Sequence, residues 1–320
     1  MKYLVTGGAG FIGSHLVDAL LRGNDKVVIL DDLSTGNSKN LQRHSNNSNL
    51  EFISGSILDS DQVHELMSGI DGCFHMAAAV GVEKILSDPI GSIKTNIHGT
   101  EIVLDSAAKF EVPVLLASTS EVYGKNSLGP LSESSDRILG SPLLSRWTYS
   151  EAKAIDESYA SALHRTQGLK VKIVRYFNTV GPRQSSAYGM VIPKFFEAAL
   201  EGNPLIVHGD GSQQRIFCHV SDAVSATLEL WKLDRGYGEA FNVGGEEEVS
   251  ILELAKTIIK LCNSDSLIEF VDYDVLRKSG FEDIARRIPD TSKLRSFVDW
   301  NPKFKLDQIL SDYYHSLGKY

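Results

Sequence analysis

The stretch KYLVTGGAGFIGSHLVDALLRG, residues 2–23, decides the fold. It begins as an apolar strand pattern, passes through a turn with glycines three residues apart, and continues as an amphipathic helix pattern. This spacing lets the chain turn tightly, brings backbone N–H groups close to a pyrophosphate, and packs the helix on the strand with its N-terminus facing the negative charge. We therefore predict a dinucleotide site with these contacts: Gly7, Gly10, Phe11, Ile12 and Gly13.

An acidic pair follows the next strand pattern, KVVIL. Asp31 and Asp32 stand about 20 residues after the glycines, where a carboxylate accepts hydrogen bonds from the ribose hydroxyls of a dinucleotide. The same charge repels a 2′-phosphate, so the pair favours NAD over NADP. A role in capping the following turn fits Asp32 better than Asp31.

Short apolar runs alternate with longer helix patterns through the first half of the chain. The runs are KYLVT, KVVIL, LEFI, GCFHM, VPVLLA and KVKIVRY. Because they are apolar throughout, they predict a parallel sheet covered by helices on both faces, an α/β, doubly wound fold. After residue 176 the pattern changes to helices among short strands. We predict two domains, residues 1–176 and 177–320, the second smaller and closing over what the first binds.

Composition excludes several classes of protein. The 320 residues carry a formal net charge of -9, so there is no basic field for nucleic acid or for an anionic membrane surface. The N-terminal apolar stretch is too short for a signal peptide, and no window approaches the roughly 20 apolar residues of a membrane span. Cys73, Cys218 and Cys262 lack metal or redox spacing. We expect a cytoplasmic protein without a metal site and with reduced cysteines.

Polar side chains follow the apolar run VPVLLA. They are Ser118, Thr119, Ser120 and Glu121. Because ligands lie at the carboxyl ends of parallel strands, we expect this cluster beside the nicotinamide of the dinucleotide. The alternative is a capped strand end, since serine and threonine also serve turns.

A tyrosine and a lysine lie four residues apart on the helix pattern that follows RW. Tyr149 and Lys153 therefore project from one helix face. An ammonium about 4 Å from a phenol, at an effective dielectric near 20, favours the phenolate by roughly 4 kcal/mol, or about three pKa units. We predict that Lys153 lowers the pKa of Tyr149 enough for it to act as a base. Thr119 would then hydrogen-bond the substrate hydroxyl whose carbon gives hydride to NAD.

These motifs together resemble the extended short-chain dehydrogenase/reductase family, the NAD-dependent epimerases and dehydratases of nucleotide sugars. The resemblance covers nearly the whole chain and rests on TGGAGFIG, DDLSTGN, HMAA, STSEVYG, YSEAK, RYFNTVGPR, GDGSQQRIF and FNVGG. It implies a Rossmann domain with a smaller C-terminal nucleotide-sugar domain, some segments of which interleave with the first. It also implies a homodimer formed through two helices of the first domain, and a UDP-linked substrate.

The resemblance assigns further binding residues. It implies that Asp31 holds the adenosine ribose, that Lys153 holds the nicotinamide ribose, and that other residues contact the cofactor: Ser56 and Ile57 beside adenine, and Ala77 and Ala78 along its length. Ser56 departs from the aspartate that is usual in the family. On the substrate side it implies contacts from Lys84, Ser118, Ser120, Asn178, Arg215 and Arg287, with Arg215 gripping the diphosphate.

Two features resemble UDP-glucuronate decarboxylases in particular. The Thr119-Ser120-Glu121 arrangement is shared by dehydratases and uronate decarboxylases, and GFEDIARRIPD, residues 280–290, is similar to the decarboxylase segment whose arginine addresses the substrate carboxylate. That arginine is Arg287. Oxidation at C4 makes C6 a carboxylate β to a ketone, which leaves as carbon dioxide. Tyr149 would then steady or reprotonate the enolate, and Glu121 would position groups or relay a proton.

Other reactions stay open from the sequence. RYFNTVGPRQ and GDGSQQRIF are equally typical of UDP-hexose or UDP-hexuronate 4-epimerases, in which Arg287 binds only phosphate. Dehydration of a nucleotide sugar is a third possibility: the acid that dTDP-glucose dehydratases carry at the position of Ser120 is missing, but GDP-mannose dehydratases also have a serine there. A non-catalytic NAD-binding regulator is a fourth, and such relatives typically lack the tyrosine or the lysine that this chain has.

Overall fold

A computed structural model describes residues 1–81, 87–273, 284 and 286–318 of the chain. Its centre is a seven-stranded parallel sheet. The strands are β1 (Lys2–Thr6), β2 (Lys26–Asp31), β3 (Leu50–Ser54), β4 (Gly72–His75), β5 (Val114–Thr119), β6 (Val171–Tyr176) and, from late in the chain, β11 (Ala240–Val243). Their spatial order is β11-β6-β5-β4-β1-β2-β3. The order reverses between β1 and β4, as in doubly wound folds, so the predicted fold class is confirmed.

Helices cover both faces of this sheet. Those described are α1 (Phe11–Arg22), α2 (Ser60–Met67), α3 (Pro89–Ile93), α4 (Gly99–Lys109), α5 (Thr148–Gln167), α6 (Val191–Glu201), α7 (Val220–Trp231), α8 (Ile251–Leu261), α9 (Ser292–Phe297) and α10 (Leu306–Ser316). Along β1, Val5 packs towards α1 and α7, whereas Leu4 packs towards α2 and α4. Successive residues of a strand point to opposite faces of the sheet, and both faces are buried. Residues on both faces are therefore apolar, which explains the continuous apolar runs in the sequence.

A second core lies apart from the main sheet. It packs α6, α8 and α10 against the short strands β8 (Leu205–His208) and β12 (Glu248–Ser250), and β12 pairs with β9 (Gln214–Ile216). The remaining short strands are β7 (Thr179–Val180), β10 (Cys218–His219), β13 (Ile268–Val271) and β14 (Arg286–Arg287). β14 pairs in parallel with β9 and sets Arg287 opposite Arg215.

Segments beyond residue 176 contribute to both cores. β11 and α7 belong to the main sheet and its covering, while α6, α8 and α10 form the second core. The chain therefore crosses between the two regions more than once, and the division at residue 176 stays a prediction. No helix within the described ranges has the length and apolar content to cross a membrane.

Candidate active site

One cavity of about 700 Å³ lies at the carboxyl ends of the central strands. This volume is in the range of cofactor and small-molecule sites. It brings together most of the residues predicted from the sequence: Gly7, Gly10, Phe11, Ile12, Gly13, Asp31, Asp32, Ile57, Ala77, Ala78, Ser118, Thr119, Ser120, Glu121, Tyr149, Lys153, Asn178 and Arg287. Ser56 and Arg215 are not among its lining residues, and Lys84 lies outside the described residues.

The glycine loop is shaped by close backbone approach. Gly7 has φ +68°, and a Cβ at this position would lie 2.7 Å from Ala77 Cα. A Cβ on Gly13 would lie 2.2 Å from the Gly7 carbonyl oxygen. Gly10 precedes α1, and no described side chain caps this end of the helix. The first N–H groups of α1 therefore have no capping side chain at the cavity, a cradle that fits a pyrophosphate.

The two acids after β2 have different surroundings. Asp31 is 7% exposed, and its carboxylate accepts hydrogen bonds from Ala9 N (2.9 Å) and Leu33 N (2.8 Å). Burial raises its pKa, and these backbone donors oppose the rise. Asp32 is exposed and accepts from Ser34 N at 2.9 Å, the turn-capping geometry predicted for it. Asp31 is thus the acid fixed against the glycine loop.

Ser56 does not reach the cavity, although the resemblance placed it beside adenine. Its hydroxyl accepts a hydrogen bond from Leu58 N at 3.3 Å and closes a turn after β3. The next residue, Ile57, is buried and does line the cavity. The structure therefore supplies an apolar surface at this place.

Tyr149 and Lys153 lie in the first two turns of α5, and both line the cavity. Lys153 is buried, and its Nζ lies 3.1 Å from Asp156 Oδ2. The pKa of Tyr149 is raised, first by burial and then by the charges of Glu121 and Asp156. The prediction that the pKa of Tyr149 is lowered is therefore wrong for this state of the protein. The reason is burial first and then the charges of two carboxylates, Glu121 and Asp156, none of which the i to i+4 argument included.

Glu121 is held between two arginines. It stands in the 3₁₀ turn Ser120–Tyr123, which begins where Thr119 Oγ1 accepts from Glu121 N at 3.1 Å. One carboxylate oxygen pairs with Arg287 Nη1, and the other lies 2.7 Å from Arg146 Nη1. Although burial raises the pKa of Glu121, the charges of these guanidinium groups hold it well below its usual range. Glu121 is thus an ionised positioning group and has no proton to relay.

Arg287 joins this group to the second region. Its Nη2 donates to Asn178 Oδ1 at 3.3 Å, and Asn178 Nδ2 donates to the Ile216 carbonyl at 2.8 Å. Arg287 is buried, and its Nε has no hydrogen-bond partner within the described part of the chain. Arg215, its neighbour across β9 and β14, is buried beside it without lining the cavity. The diphosphate contact of Arg215 therefore stays a prediction from the resemblance.

Ser118 lines the cavity, but its hydroxyl is engaged elsewhere. The Oγ donates to Glu157 Oε1 at 2.5 Å. Glu157 in turn accepts two hydrogen bonds from Arg175, at 2.9 and 2.6 Å. The hydroxyl that the resemblance assigned to substrate therefore links β5 to α5.

Sequence reasoning missed other lining residues. Arg146, in the turn before α5, lines the cavity and pairs with Glu121. Arg183 donates to Ser14 Oγ (2.9 Å) and Asp18 Oδ2 (2.6 Å), beside the start of α1. Tyr313 reaches the cavity from α10. Arg183 belongs to a motif quoted for the resemblance, but no residue pattern marked Tyr313.

The fold and the cavity define a Rossmann-type enzyme built for a dinucleotide. Residues 3–244 match the model of the NAD dependent epimerase/dehydratase family. The chain therefore belongs to this family, which confirms the predicted family and NAD as the cofactor.

Relatives and solved structures agree with this assignment. A UDP-N-acetyl-alpha-D-glucosaminuronate decarboxylase of Bacillus cytotoxicus is 42% identical over 312 residues, covering 97% of this chain and 96% of its own. UDP-glucuronic acid decarboxylase 6 of Arabidopsis thaliana is 36% identical over 311 residues, covering 97% and 87%. A UDP-glucuronic acid 4-epimerase of Bacillus cereus, solved with UDP-glucuronic acid and NAD, has a TM-score of 0.89 at 30% identity and covers 99% of both chains. The protein is an NAD-dependent enzyme that modifies nucleotide sugars.

Proposed function

We propose that the protein decarboxylates a UDP-linked hexuronate, with UDP-glucuronate or its 2-acetamido relative as substrate. The observation that carries the proposal is the position of Glu121 between Arg146 and Arg287, in the same cavity as Tyr149. Two guanidinium charges face one carboxylate there. The site therefore has spare positive charge for the uronate carboxylate of the substrate.

NAD fits the other end of the cavity. The uncapped start of α1 suits the pyrophosphate, and Asp31 suits the adenosine ribose. Lys153, next to the nicotinamide end, suits the second ribose. When bound, NAD⁺ supplies the acceptor that takes a hydride from C4 of the sugar and later returns it.

The chain's own residues handle protons and charge. Tyr149 takes the proton of the 4-hydroxyl, which Thr119 orients. Once C4 is a ketone, the C5–C6 bond breaks, carbon dioxide leaves, and the bonding electrons move onto the C4 oxygen as an enolate. The Tyr149 and Thr119 hydroxyl groups stabilise that oxygen by hydrogen bonds. A proton from solvent then adds at C5, and Tyr149 gives its proton back to the C4 oxygen when the ketone is reduced to the alcohol.

Two observations support decarboxylation over dehydration. Loss of water requires an acid that protonates the departing hydroxyl. Ser120 stands where that acid would be, and the pKa of Glu121 is held low by its arginines. In addition, relatives named as decarboxylases match nearly the full length of the chain. A 4-epimerase is the second candidate, because a UDP-glucuronic acid 4-epimerase shares the fold over 99% of the chain.

The test is to incubate the protein and NAD with UDP-glucuronate, with UDP-N-acetylglucosaminuronate, and with UDP-glucose as the matched neutral control. Mass spectrometry and sugar NMR then identify the products. We expect a product lighter by one carbon dioxide from at least one uronate and no mass change with UDP-glucose. An isomer of unchanged mass from the uronates would replace decarboxylation with epimerisation.

We also propose that the enzyme is a cytoplasmic homodimer. Ile90 and Ile93 of α3 and Ile155 of the adjacent α5 are 69%, 41% and 48% exposed, which gives an apolar surface on two helices of the first region. Large apolar residues grouped on a surface suit an interface between copies. Sedimentation velocity checks this proposal: a dimer is expected, and Ile155→Glu should convert it to a monomer. A monomeric wild-type protein would contradict it.

A further inference from the structure

A line of buried polar side chains runs behind the cavity, from β1 to α5. Ala77 N donates to Thr6 Oγ1 at 3.3 Å, and Thr6 Oγ1 lies 2.7 Å from His75 Nδ1. His75 Nε2 lies 3.0 Å from Thr100 Oγ1. Thr100 Oγ1 donates to Asp156 Oδ2 at 3.3 Å, the same oxygen that lies 3.1 Å from Lys153 Nζ.

The direction of each hydrogen bond in this line is fixed by its ends. A backbone N–H can only donate, and an ionised carboxylate can only accept. Thr100 gives its one hydroxyl proton to Asp156, so His75 Nε2 donates to Thr100 Oγ1, and the Nδ1 of the neutral ring accepts from Thr6. Burial, with a smaller effect of Lys153, lowers the pKa of His75 to about 3, which agrees with a neutral ring. Every dipole in the line points towards Asp156.

We propose that Asp156 is a positioning residue that holds Lys153 in place and offsets its charge, and thereby sets the pH range in which Tyr149 works as a base. This inference rests on the proposed role of Tyr149. The ion pair supports it because both side chains are 2% exposed, so water screens neither charge. Asp156 has a fixed position, since Thr100 holds the oxygen that pairs with the ammonium.

Other charged groups face Tyr149 and its neighbours. Glu121, in the turn after β5, acts on Tyr149 in the same direction as Asp156, but Arg146 and Arg287 offset it. His75, on β4, is neutral. Glu157, next to Asp156, is paired with Arg175 of β6. Glu121 and Glu157 are thus each offset by arginine. A substitution of Asp156 therefore changes mainly the charge balance of its pair with Lys153.

The decisive variant is Asp156→Asn, which keeps the size and the hydrogen bond from Thr100 but removes the charge. The pH dependence of kcat/KM is measured with whichever nucleotide sugar the wild-type enzyme converts. We expect the acid limb of the profile to move to lower pH by about one unit or more, because the ammonium charge is no longer offset. The matched control is Glu151→Gln, which makes the same charge change on the same helix at a residue that does not line the cavity. Its acid limb should stay at the wild-type pH.

A second measurement does not require turnover, so it tests the role of Asp156 independently of the proposed function. The ionisation of Tyr149 is followed as the difference in ultraviolet absorbance between each protein and its Tyr149→Phe counterpart while the pH is raised. Tyr149 should ionise at lower pH in Asp156→Asn than in the wild type. An unmoved or raised midpoint would overturn the role of Asp156, whatever the substrate. If Asp156→Asn does not fold, Asp156→Ser, which is also uncharged, gives the same comparison.

Discussion

The end of the cavity at the glycine loop is built from backbone, whereas the end at Tyr149 is built from ionised side chains. At the first end, Gly7 and Gly13 leave no room for a Cβ, and helix N–H groups face the ligand space. At the second end, Glu121 draws together guanidinium groups from the turn before α5 and from β14. The first end is set mainly by close backbone contacts, one of them within the loop itself, whereas the second depends on charged side chains from elements far apart in the chain.

Asp31 and Glu121 show the electrostatic side of this difference. Burial raises the pKa of Asp31, which has only backbone donors. Burial also acts on Glu121, but the charges of Arg287 and Arg146 exceed it, and the pKa falls well below its usual range. Asp31 is therefore held by backbone hydrogen bonds, whereas Glu121 holds two guanidinium groups in place by its charge.

The largest effect is expected at the side-chain end, from Tyr149→Phe. Loss of the hydroxyl removes proton transfer to and from the C4 oxygen, and turnover should fall by about 10²–10⁴-fold. The affinity for NAD, measured by fluorescence titration, should change little, since the aromatic ring remains. Undiminished turnover would show that another group acts as the base.

Glu121→Gln tests whether the ion pairs of Glu121 hold the Tyr149 end of the cavity together. At neutral pH we expect a loss of about 3 kcal/mol in the free energy of unfolding, because two largely buried arginines, 8% and 11% exposed, lose their ionic partner. The pKa of Glu121 is lower in the folded state than in the unfolded one. Its contribution is therefore present above about pH 4.3, the ordinary value, and is lost as the pH falls below it. The free energies of unfolding of wild type and variant, measured in urea, should thus become more similar as the pH is lowered.

The matched control for this variant is Glu248→Gln. Glu248 pairs with Arg286, the neighbour of Arg287 on β14, but the two side chains are 31% and 41% exposed. An exposed pair of this kind contributes about 1 kcal/mol or less. Equal losses from the two variants would contradict a special role for the buried pair.

Gly13→Ala tests the backbone end. A Cβ 2.2 Å from the Gly7 carbonyl must push α1 away from the loop, and such overpacking costs about 1–3 kcal/mol. We expect NAD affinity to fall by roughly 10- to 100-fold. Gly69→Ala is the control, since it strains a turn at φ +85° with no atom within 4 Å of the new Cβ. It should lower the melting temperature and leave NAD affinity unchanged.

The smallest effect is expected from Ser118→Ala, because the hydroxyl donates to Glu157. Stability should fall by about 1 kcal/mol, with KM within about threefold of the wild-type value. Thr119→Val provides the comparison, since it removes the hydroxyl proposed to orient the substrate. Steady-state kinetics checks both variants. A large rise in KM for Ser118→Ala would instead support the substrate contact that the resemblance implied for Ser118.

The sequence alone determined the sheet, the glycine loop and most of the residues that line the cavity. Strand and helix periodicities are local, and the glycines between β1 and α1 are required by atoms within a few residues or by the adjacent β4 segment. Tyr149 and Lys153 were also within reach of sequence reasoning, because helix geometry sets their common face.

The tertiary structure alone decided the charge states of the site. Asp156 neutralises Lys153, and Glu121 pairs with Arg287, which is 166 residues away in the chain. Ser56 and Ser118 turn their hydroxyls to partners outside the cavity. Electrostatic energy depends on the distance and burial of every nearby charge, and these are set only when remote segments pack together. A motif identifies which groups are present, and folding determines how their charges are balanced.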